Sequence, residues 1–298
     1  MKNFFLIAAI LISVFFAQAQ KTYKKLQSKL QEASNGFNGD IGIYVKNLKT
    51  GKTVSINADT IFPTASIIKV TILLGIMNKI QKGELNYDQE LQYRDSLFYA
   101  GSDILGSFKD SAIILLKKVI MLMLTSSDNT ASLWLQSLAG KGTRINEILD
   151  SLGFKNTRVN SRTPGRENNR TLYGWGQTTP QEMGTIVERI YRNDFFSTTA
   201  CERMMRCLGR NYWDENEAIS QIPPYIEVFS KNGAVDESRS EVLLVNGPHN
   251  PYVFCIFTKN NKDTSWIHTN EAWTKARIIS KMLWNYFEPK DRWIPVNQ

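Results

Sequence analysis

The chain has 298 residues, and 42% of them are hydrophobic, which is enough for a buried core in one large domain or two closely associated lobes. Its 36 Lys and Arg exceed its 28 Asp and Glu and give a formal net charge of +8. The basic residues are scattered and accompany no nucleic-acid motif, so we expect no nucleic-acid partner. His249 and His268 have no partners at ligand spacing, and we expect neither a metal nor an organic cofactor.

Residues 1–19 have the pattern of a secretory signal peptide. A lysine precedes a stretch from Phe4 to Phe16 that is apolar except for Ser13, and Ala17-Gln18-Ala19 suits cleavage before Gln20. An uncleaved anchor is the alternative, but it would need a longer apolar run. We expect a mature chain of residues 20–298 that is secreted, most simply to a bacterial periplasm, and not inserted in a membrane.

The elements predicted along the mature chain have a simple order. A helix (Thr22–Ala33) precedes two strands (Ile41–Lys46 and Thr53–Asn57) joined by a hairpin signal. The pattern is then helical, without a convincing strand pair, to about Tyr191. The last predicted elements are three strands and a helix: Tyr225–Ser230, Ser240–Asn246, Tyr252–Lys259 and Glu271–Phe287.

This order predicts a mixed α/β (α+β) fold. Strands from both chain ends form one antiparallel sheet of about five strands, and an all-helical lobe is inserted between them. We divide the single domain into a sheet lobe, residues 20–62 and 196–298, and a helical lobe, residues 63–195. Cys201 and Cys207 could form a disulfide in an oxidising compartment, but not if both lie on one helix, where they would face different ways.

The segment from Ser66 to Ile80 predicts a helix that is apolar on every side and therefore buried. Ser66 and Lys69, three residues apart, share a face of its first turn. A lysine in apolar surroundings is disfavoured in its charged form and can act as a base towards a hydroxyl, while the helix start favours a developing negative charge. The pattern indicates an activated nucleophile. A buried helix with a snorkelling lysine is the alternative.

Two further segments complete the set of candidate motifs. Ser127-Asp128-Asn129 follows a buried helix predicted over Ile113–Leu124, where simple helix capping would also explain it. Lys231-Asn232-Gly233 comes at the end of a predicted strand. The sequences S-x-x-K, S-D-N and K-N-G, in this order and spacing, resemble the signature of class A β-lactamases and penicillin-binding proteins over nearly all of the mature chain.

The resemblance implies a β-lactamase/transpeptidase-like fold and a set of catalytic roles. Ser66 would attack an acyl carbon, Lys69 would take its proton, and Ser127 would relay a proton to the leaving nitrogen. The backbone N–H groups of Ser66 and of Ala234, which follows Gly233, would form the oxyanion hole.

The resemblance also implies substrate-binding roles. Asn129 would hold a substrate amide, and Lys231 would supply positive charge near the substrate carboxylate. Arg239 lies where the family often has a guanidinium for that carboxylate. Asn232 replaces a family hydroxyl, and its amide can still donate a hydrogen bond.

The long segment from Val159 to Pro180 departs most from the family. It has little periodicity, and a loop of this length is usually functional. It lacks the family's glutamate with an asparagine four residues on, and Glu167 is its one carboxylate. Glu167 is therefore the candidate deacylation base, with a solvated loop carboxylate as the alternative.

The predicted function is that of a secreted, monomeric serine hydrolase that acts on β-lactams through an acyl-serine intermediate. A D,D-peptidase or other amide hydrolase, acting on a peptidoglycan-like peptide and only acylated by β-lactams, is the alternative. A working Glu167 would favour the first. A catalytically silent cell-wall-binding protein of the same fold is a further alternative, which the intact Ser66, Lys69, Ser127 and Lys231 argue against.

Overall fold

The computed structural model describes residues 23–296, so the predicted signal peptide lies outside the described residues. The first half of the chain forms α1 (Lys24–Ser34), β1 (Asp40–Asn47), β2 (Thr53–Ile56), β3 (Phe62–Pro63), α2 (Lys69–Gln81), β4 (Glu90–Gln92), β5 (Ile113–Leu115), α3 (Leu116–Thr125), α4 (Asn129–Leu138) and α5 (Lys141–Ser151). The second half forms β6 (Arg158–Val159), α6 (Glu167–Tyr173), β7 (Gly176–Thr178), α7 (Pro180–Tyr191), α8 (Thr198–Leu208), β8 (Val228–Val235), β9 (Ser238–Val245), β10 (Tyr252–Lys259) and α9 (Glu271–Phe287).

The main sheet has five strands in the order β2-β1-β10-β9-β8, and every neighbouring pair is antiparallel. The first strands of the chain thus pair with the last, Ile43 opposite Ile256. This confirms the predicted fold class, a sheet built from both chain ends with helices inserted between them.

Both faces of the sheet are covered, because the side chains of each strand alternate between two apolar clusters. Leu243 and Phe254 pack with residues of α1 and α9 on one face. Leu244 and Val253 pack with the helical part of the chain on the other, where α7 lies against β1, β9 and β10. Helix α8 packs against α3 and α7.

The segment after β3 is a 3-10 turn (Ala65–Ile68) that continues into α2. The predicted helix over residues 66–80 is therefore present, but its first turn is tighter than an α-helix. From Lys69 to Met77 every residue is buried, as an all-apolar helix requires. Helix α2 contacts α3, α4, α5 and α8 and forms the centre of the helical lobe.

Three local predictions were wrong. Residues 113–115 form β5, paired with β4, and the helix predicted from Ile113 begins only at Leu116. The loop at 159–180 contains α6 and also β7, which pairs with β3 and β6. The strand expected to end before Lys231 continues to Val235, so the K-N-G residues lie inside β8.

The cysteines are free and buried. Cys201 and Cys207 both lie on α8, which is the geometry that prevents a bridge between them. Within residues 23–296, no helix is long and apolar enough to cross a membrane.

Candidate active site

Ser66 lies on the 3-10 turn, and its hydroxyl faces the first residue of α2. The Nζ of Lys69 lies 3.0 Å from the Oγ of Ser66. The turn is anchored on both sides, because the N–H of Thr64 donates to the carbonyl of Gly176 in β7 and the N–H of Ile67 donates to the carbonyl of Thr64. Ala65, just before the serine, has a φ of 42°, a left-handed conformation that is costly for a residue other than glycine. Such strain is typical of functional turns.

Lys69 is fully buried and has four hydrogen-bond acceptors near its Nζ. Besides Ser66 Oγ, they are the Oγ of Ser127 at 3.1 Å, the carbonyl of Ser127 at 2.5 Å and Oδ1 of Asn129 at 2.9 Å. Burial and the positive charge of Lys231 lower the pKa of Lys69 well below its usual value, although Asp128 acts in the opposite direction. A neutral amine offers a lone pair, so this lysine can accept a proton from either serine hydroxyl.

The turn between α3 and α4 holds Ser127 and Asn129 towards Lys69. Its anchor is Asp128, whose buried carboxylate accepts the N–H of Ala131 at 2.7 Å as the N-cap of α4. The other oxygen of Asp128 accepts the N–H groups of Ile104 and Leu105 at 2.6 and 2.8 Å. Backbone hydrogen bonds, in the cap and to residues 104 and 105, therefore explain the aspartate, but not its two neighbours, which contact the lysine.

Strand β8 brings the third motif to the same place. The ammonium of Lys231 is fully buried and donates to the carbonyl of Asn232 at 2.8 Å and to its Oδ1 at 3.2 Å. Burial lowers the pKa of Lys231 to about 7, although Glu217 and Glu241 raise it. A positive charge held in so little solvent acts strongly on whatever binds beside it.

Gly233 allows β8 to lie directly against the Ser66 turn. A Cβ at this position would lie 2.4 Å from the carbonyl oxygen of Thr64 and 2.9 Å from the backbone nitrogen of Ser66. Only glycine permits this approach. The contact places Ala234, the next residue of the strand, beside the nucleophile.

Two cavities meet at Ser66. One, of about 790 Å³, is lined by motif residues that include Ser66, Ser127, Asn129, Asn232, Gly233 and Ala234. The other, of about 370 Å³, shares Ser66, Asn129 and Ala234 with it. A ligand in either cavity can reach the serine hydroxyl.

Glu167 does not line either of these cavities. It is exposed in the first turn of α6, and its Oε1 accepts the N–H of Gly165 in its own loop at 3.1 Å. The loop faces Ser66 instead with Leu172–Trp175, which carry no carboxylate. Trp175 also packs edge-on against Tyr99, with ring centroids 5.3 Å apart.

Arg239 is the second candidate residue, after Glu167, that the structure does not bring to the site. Its guanidinium contacts the rings of Trp266 and Trp273, 4.4 and 4.7 Å from their centroids. Its nitrogens donate to backbone carbonyls, among them that of Ser265 at 2.9 Å. Both terminal nitrogens bond to backbone carbonyls and the residue is only 3% exposed, so Arg239 holds the fold around β9 and is not presented to a substrate carboxylate.

Residues 211–217 form one wall of the larger cavity, and they were not identified as part of the site from the sequence. Tyr212 and Trp213 stand there edge to face, with centroids 5.2 Å apart, and Glu217 lies at its base. The segment crosses to the helical lobe, where the indole of Trp213 donates to the carbonyl of Ser126 at 3.0 Å. The only signal in the sequence was a cluster of aromatic and acidic residues with no periodicity.

No group of three or more His, Cys, Asp or Glu residues is placed to hold a metal ion within residues 23–296. The groups that surround Ser66 are side chains and backbone N–H groups. A serine within hydrogen-bond reach of a buried lysine, with a second serine on the same lysine, can perform acyl transfer. The fold and this site define a serine hydrolase.

Comparison with known proteins gives the family. A model described as "Beta-lactamase enzyme family" matches residues 25–287, and the chain belongs to this family. It is 24% identical over 299 residues to Beta-lactamase VEB-1 of Pseudomonas aeruginosa, covering 94% of this chain and 97% of that protein. It is 25% identical over 287 residues to an imipenem-hydrolyzing beta-lactamase of Enterobacter cloacae, covering 92% and 94%.

Solved structures share the fold. PBP-A superposes with a TM-score of 0.80 at 22% identity, covering 91% of this chain and 98% of that one. A beta-lactamase from Sphaerobacter thermophilus superposes with a TM-score of 0.78 at 20% identity, covering 91% and 99%. At these identities the likeness concerns the fold, and the chemistry depends on the site itself.

Proposed function

We propose that the protein is a secreted hydrolase that opens β-lactams through an ester formed on Ser66. One observation carries the proposal: a buried lysine nitrogen lies 3.0 Å from the Oγ of Ser66 and 3.1 Å from the Oγ of Ser127. Membership of the beta-lactamase family supports a β-lactam as substrate. Secretion rests on the signal-peptide pattern of residues 1–19.

Acylation follows from the positions of these groups. The Oγ of Ser66 attacks the lactam carbonyl carbon while its proton passes to the neutral amine of Lys69. The carbonyl oxygen becomes an oxyanion, which the N–H groups of Ser66 and Ala234 stabilise. The ring C–N bond then breaks, the lactam nitrogen takes a proton from Ser127 Oγ, and Ser127 regains one from Lys69.

Asn129 and Asn232 are suited to orient the substrate. Asn129 receives a hydrogen bond from Lys69 on its Oδ1, and its Nδ2 has only a long contact of 3.5 Å with the carbonyl of Ala100. This amide can therefore donate to a substrate carbonyl. Asn232 is the next residue after Lys231. One hydrogen of its amide donates to Glu217, and the other is left to donate to a substrate.

Hydrolysis of the ester requires a base for water, and here the loop favours the second candidate function. The loop residues that face Ser66, Leu172–Trp175, have no carboxylate, and Glu167 is exposed outside the cavities. The second candidate is a D,D-peptidase or other amide hydrolase that β-lactams acylate without rapid turnover. One solved structure of PBP-A, that of a mutant, is an acyl-enzyme complex with penicillin G. A catalytically silent binding protein would not need the lysine and two serines in hydrogen-bond contact.

The deciding experiment is incubation of the purified mature protein with a chromogenic cephalosporin, followed by both colour and intact mass. Continued colour supports β-lactam hydrolysis, whereas a stable adduct with one equivalent of colour supports the second candidate. Ser66→Ala should abolish the adduct. Ser102→Ala is the matched control, because Ser102 lines the same cavity but bonds to the carbonyl of Ser126 and not to Lys69. Absence of both colour and adduct would overturn the proposal.

A further inference from the structure

Glu217 is a buried carboxylate in the wall of the larger cavity at Ser66. Its side chain belongs to a residue only 8% exposed, on the segment that leads to a short 3-10 turn at Ala218–Gln221. Its Oε1 accepts Nδ2 of Asn232 at 2.9 Å, and its Oε2 accepts the backbone N–H of Asn216 at 3.0 Å. The carboxylate therefore touches the residue that, in the third motif, lies beside the substrate.

The amide of Asn232 stands between Glu217 and Lys231. Lys231 donates to Oδ1 of Asn232 at 3.2 Å, and the other end of the same amide donates to Glu217. Burial raises the pKa of Glu217 above its usual value, and the bonds from Asn232 and Asn216 and the charge of Lys231 offset only part of this shift. Because the Asn232 amide connects the two groups, the carboxylate of Glu217 is placed to act as the counter-ion of Lys231.

Glu241 is a second carboxylate near Lys231, but it does not line the cavity. It pairs with Asn232 across β8 and β9, and it accepts the N–H groups of Ala218 and Ile219 at 2.6 and 3.1 Å. Complete burial and the charge of Glu217 raise the pKa of Glu241 to about 8, so it carries less charge at neutral pH than an ordinary carboxylate. The charge that faces Lys231 from the cavity side is that of Glu217.

The other charged residues that line the cavity are also negative. The protein has a net charge of +8, yet the described residues that line this cavity include no Lys or Arg and three carboxylates, Asp214, Glu215 and Glu217. Arg239 is enclosed by its tryptophans. The guanidinium of Arg277 donates to the carbonyls of Asn216 and His268. A substrate carboxylate in this cavity would thus find no lining Lys or Arg to bind, and would lie near the carboxylate that is connected to Lys231 through Asn232.

We propose that Glu217 is a specificity-determining residue, which makes the cavity beside Asn232 select an uncharged or cationic substrate group and disfavour a carboxylate. The inference rests on the proposed acylation of Ser66. Trp213 and Trp266 also line this cavity with exposed rings, and aromatic faces attract cations. An ammonium or neutral amide group on an acyl donor suits this wall better than the carboxylate of a penicillin, which is disfavoured but not excluded.

The test compares benzylpenicillin, which has a carboxylate, with its methyl ester, which does not. The measured quantity is the second-order rate of Ser66 acylation, followed by intact mass. We expect the wild type to react faster with the ester by on the order of tenfold, the scale of one charge repulsion at short range. Glu217→Gln should raise the rate with the acid by about the same factor and change the rate with the ester by less than about threefold.

Glu202→Gln is the matched control, because it removes one exposed carboxylate on α8 that lines neither cavity. It should leave both rates unchanged. The ratio of the two acylation rates in the wild type needs no variant. It therefore tests the assignment of Glu217 even if Glu217→Gln does not fold. Faster acylation by the acid than by the ester in the wild type, or an equal gain for both compounds in Glu217→Gln, would overturn the assignment and leave the proposed function intact. No adduct with either compound would overturn the proposed function and the assignment together.

Discussion

The Nζ of Lys69 lies 3.0 Å from the Oγ of Ser66, on the same turn of the chain. The two residues need no other element to meet, since the 3-10 turn and the start of α2 set their spacing. The rest of the site lowers the pKa of Lys69, through apolar burial and the nearby charge of Lys231. It also brings a second serine hydroxyl within reach of the amine. Nucleophile and base therefore form one unit.

Lys69→Ala should reduce the acylation rate by about 100-fold or more, because proton removal and nucleophile activation fail together. The fold should survive, although loss of a buried side chain will lower the melting temperature. The rate of adduct formation with a chromogenic cephalosporin measures the effect. Acylation at near wild-type rate in a folded variant would show that another group takes the proton.

The acylation rate should have a bell-shaped dependence on pH. Lys69 must be neutral to act as a base, so the rate rises as pH increases through its lowered pKa. Lys231 must be charged to stabilise the site, so the rate falls as pH rises through its pKa of about 7. Lys231→Arg should move the alkaline limb upwards, because a guanidinium keeps its charge. Identical alkaline limbs in the two proteins would assign that limb to another group.

Gly233→Ala should abolish most of the acylation. The added Cβ cannot occupy a position 2.4 Å from the carbonyl of Thr64, so β8 must shift from the Ser66 turn and carry the Ala234 N–H with it. Loss of one oxyanion donor costs about 100- to 1,000-fold in other serine hydrolases. Ala234→Gly is the control, since it keeps the backbone N–H and should retain activity within a few fold. Acylation of Gly233→Ala at a near wild-type rate would show that groups other than the Ala234 N–H stabilise the oxyanion.

Glu167→Gln should change neither acylation nor deacylation by more than about threefold, because an exposed carboxylate contributes little. Single-turnover acylation and decay of the adduct, both by intact mass, measure the two steps. Normal acylation followed by a stalled adduct would identify Glu167 as the base after all. That result would require the loop to move its carboxylate into the cavity.

The sequence predicted the elements whose signals are local. Short apolar strand segments and hairpin-type links predicted the five-stranded sheet, and α9 was placed at its observed bounds, Glu271–Phe287. Residues 113–115 could not be separated from the helix that follows, because a short apolar run suits either structure until a partner strand is known.

The same limit applied within the site. Ser66, Lys69 and the turn at Ser127 have characteristic spacings, whereas the roles of Arg239 and Glu217 depend on residues distant in the chain. Trp266 and Trp273 enclose the guanidinium, and Asn232 donates to the carboxylate. No pattern in the surrounding sequence encodes such contacts.

Asp128→Ala should destabilise the protein as well as impair the site. The carboxylate accepts three backbone N–H groups, from Ala131, Ile104 and Leu105, and is fully buried. Removing it leaves these donors without a partner and removes the N-cap of α4, which together should cost about 2–4 kcal/mol in the free energy of unfolding. Denaturant unfolding measures this loss. Asp110→Ala is the control, because its exposed carboxylate accepts the N–H of Asp95 at the surface and should cost much less. Equal losses of unfolding free energy in the two variants would mean that the Ser127 turn keeps its position without Asp128. Lys69 would then retain its contact with Ser127 in the Asp128→Ala protein.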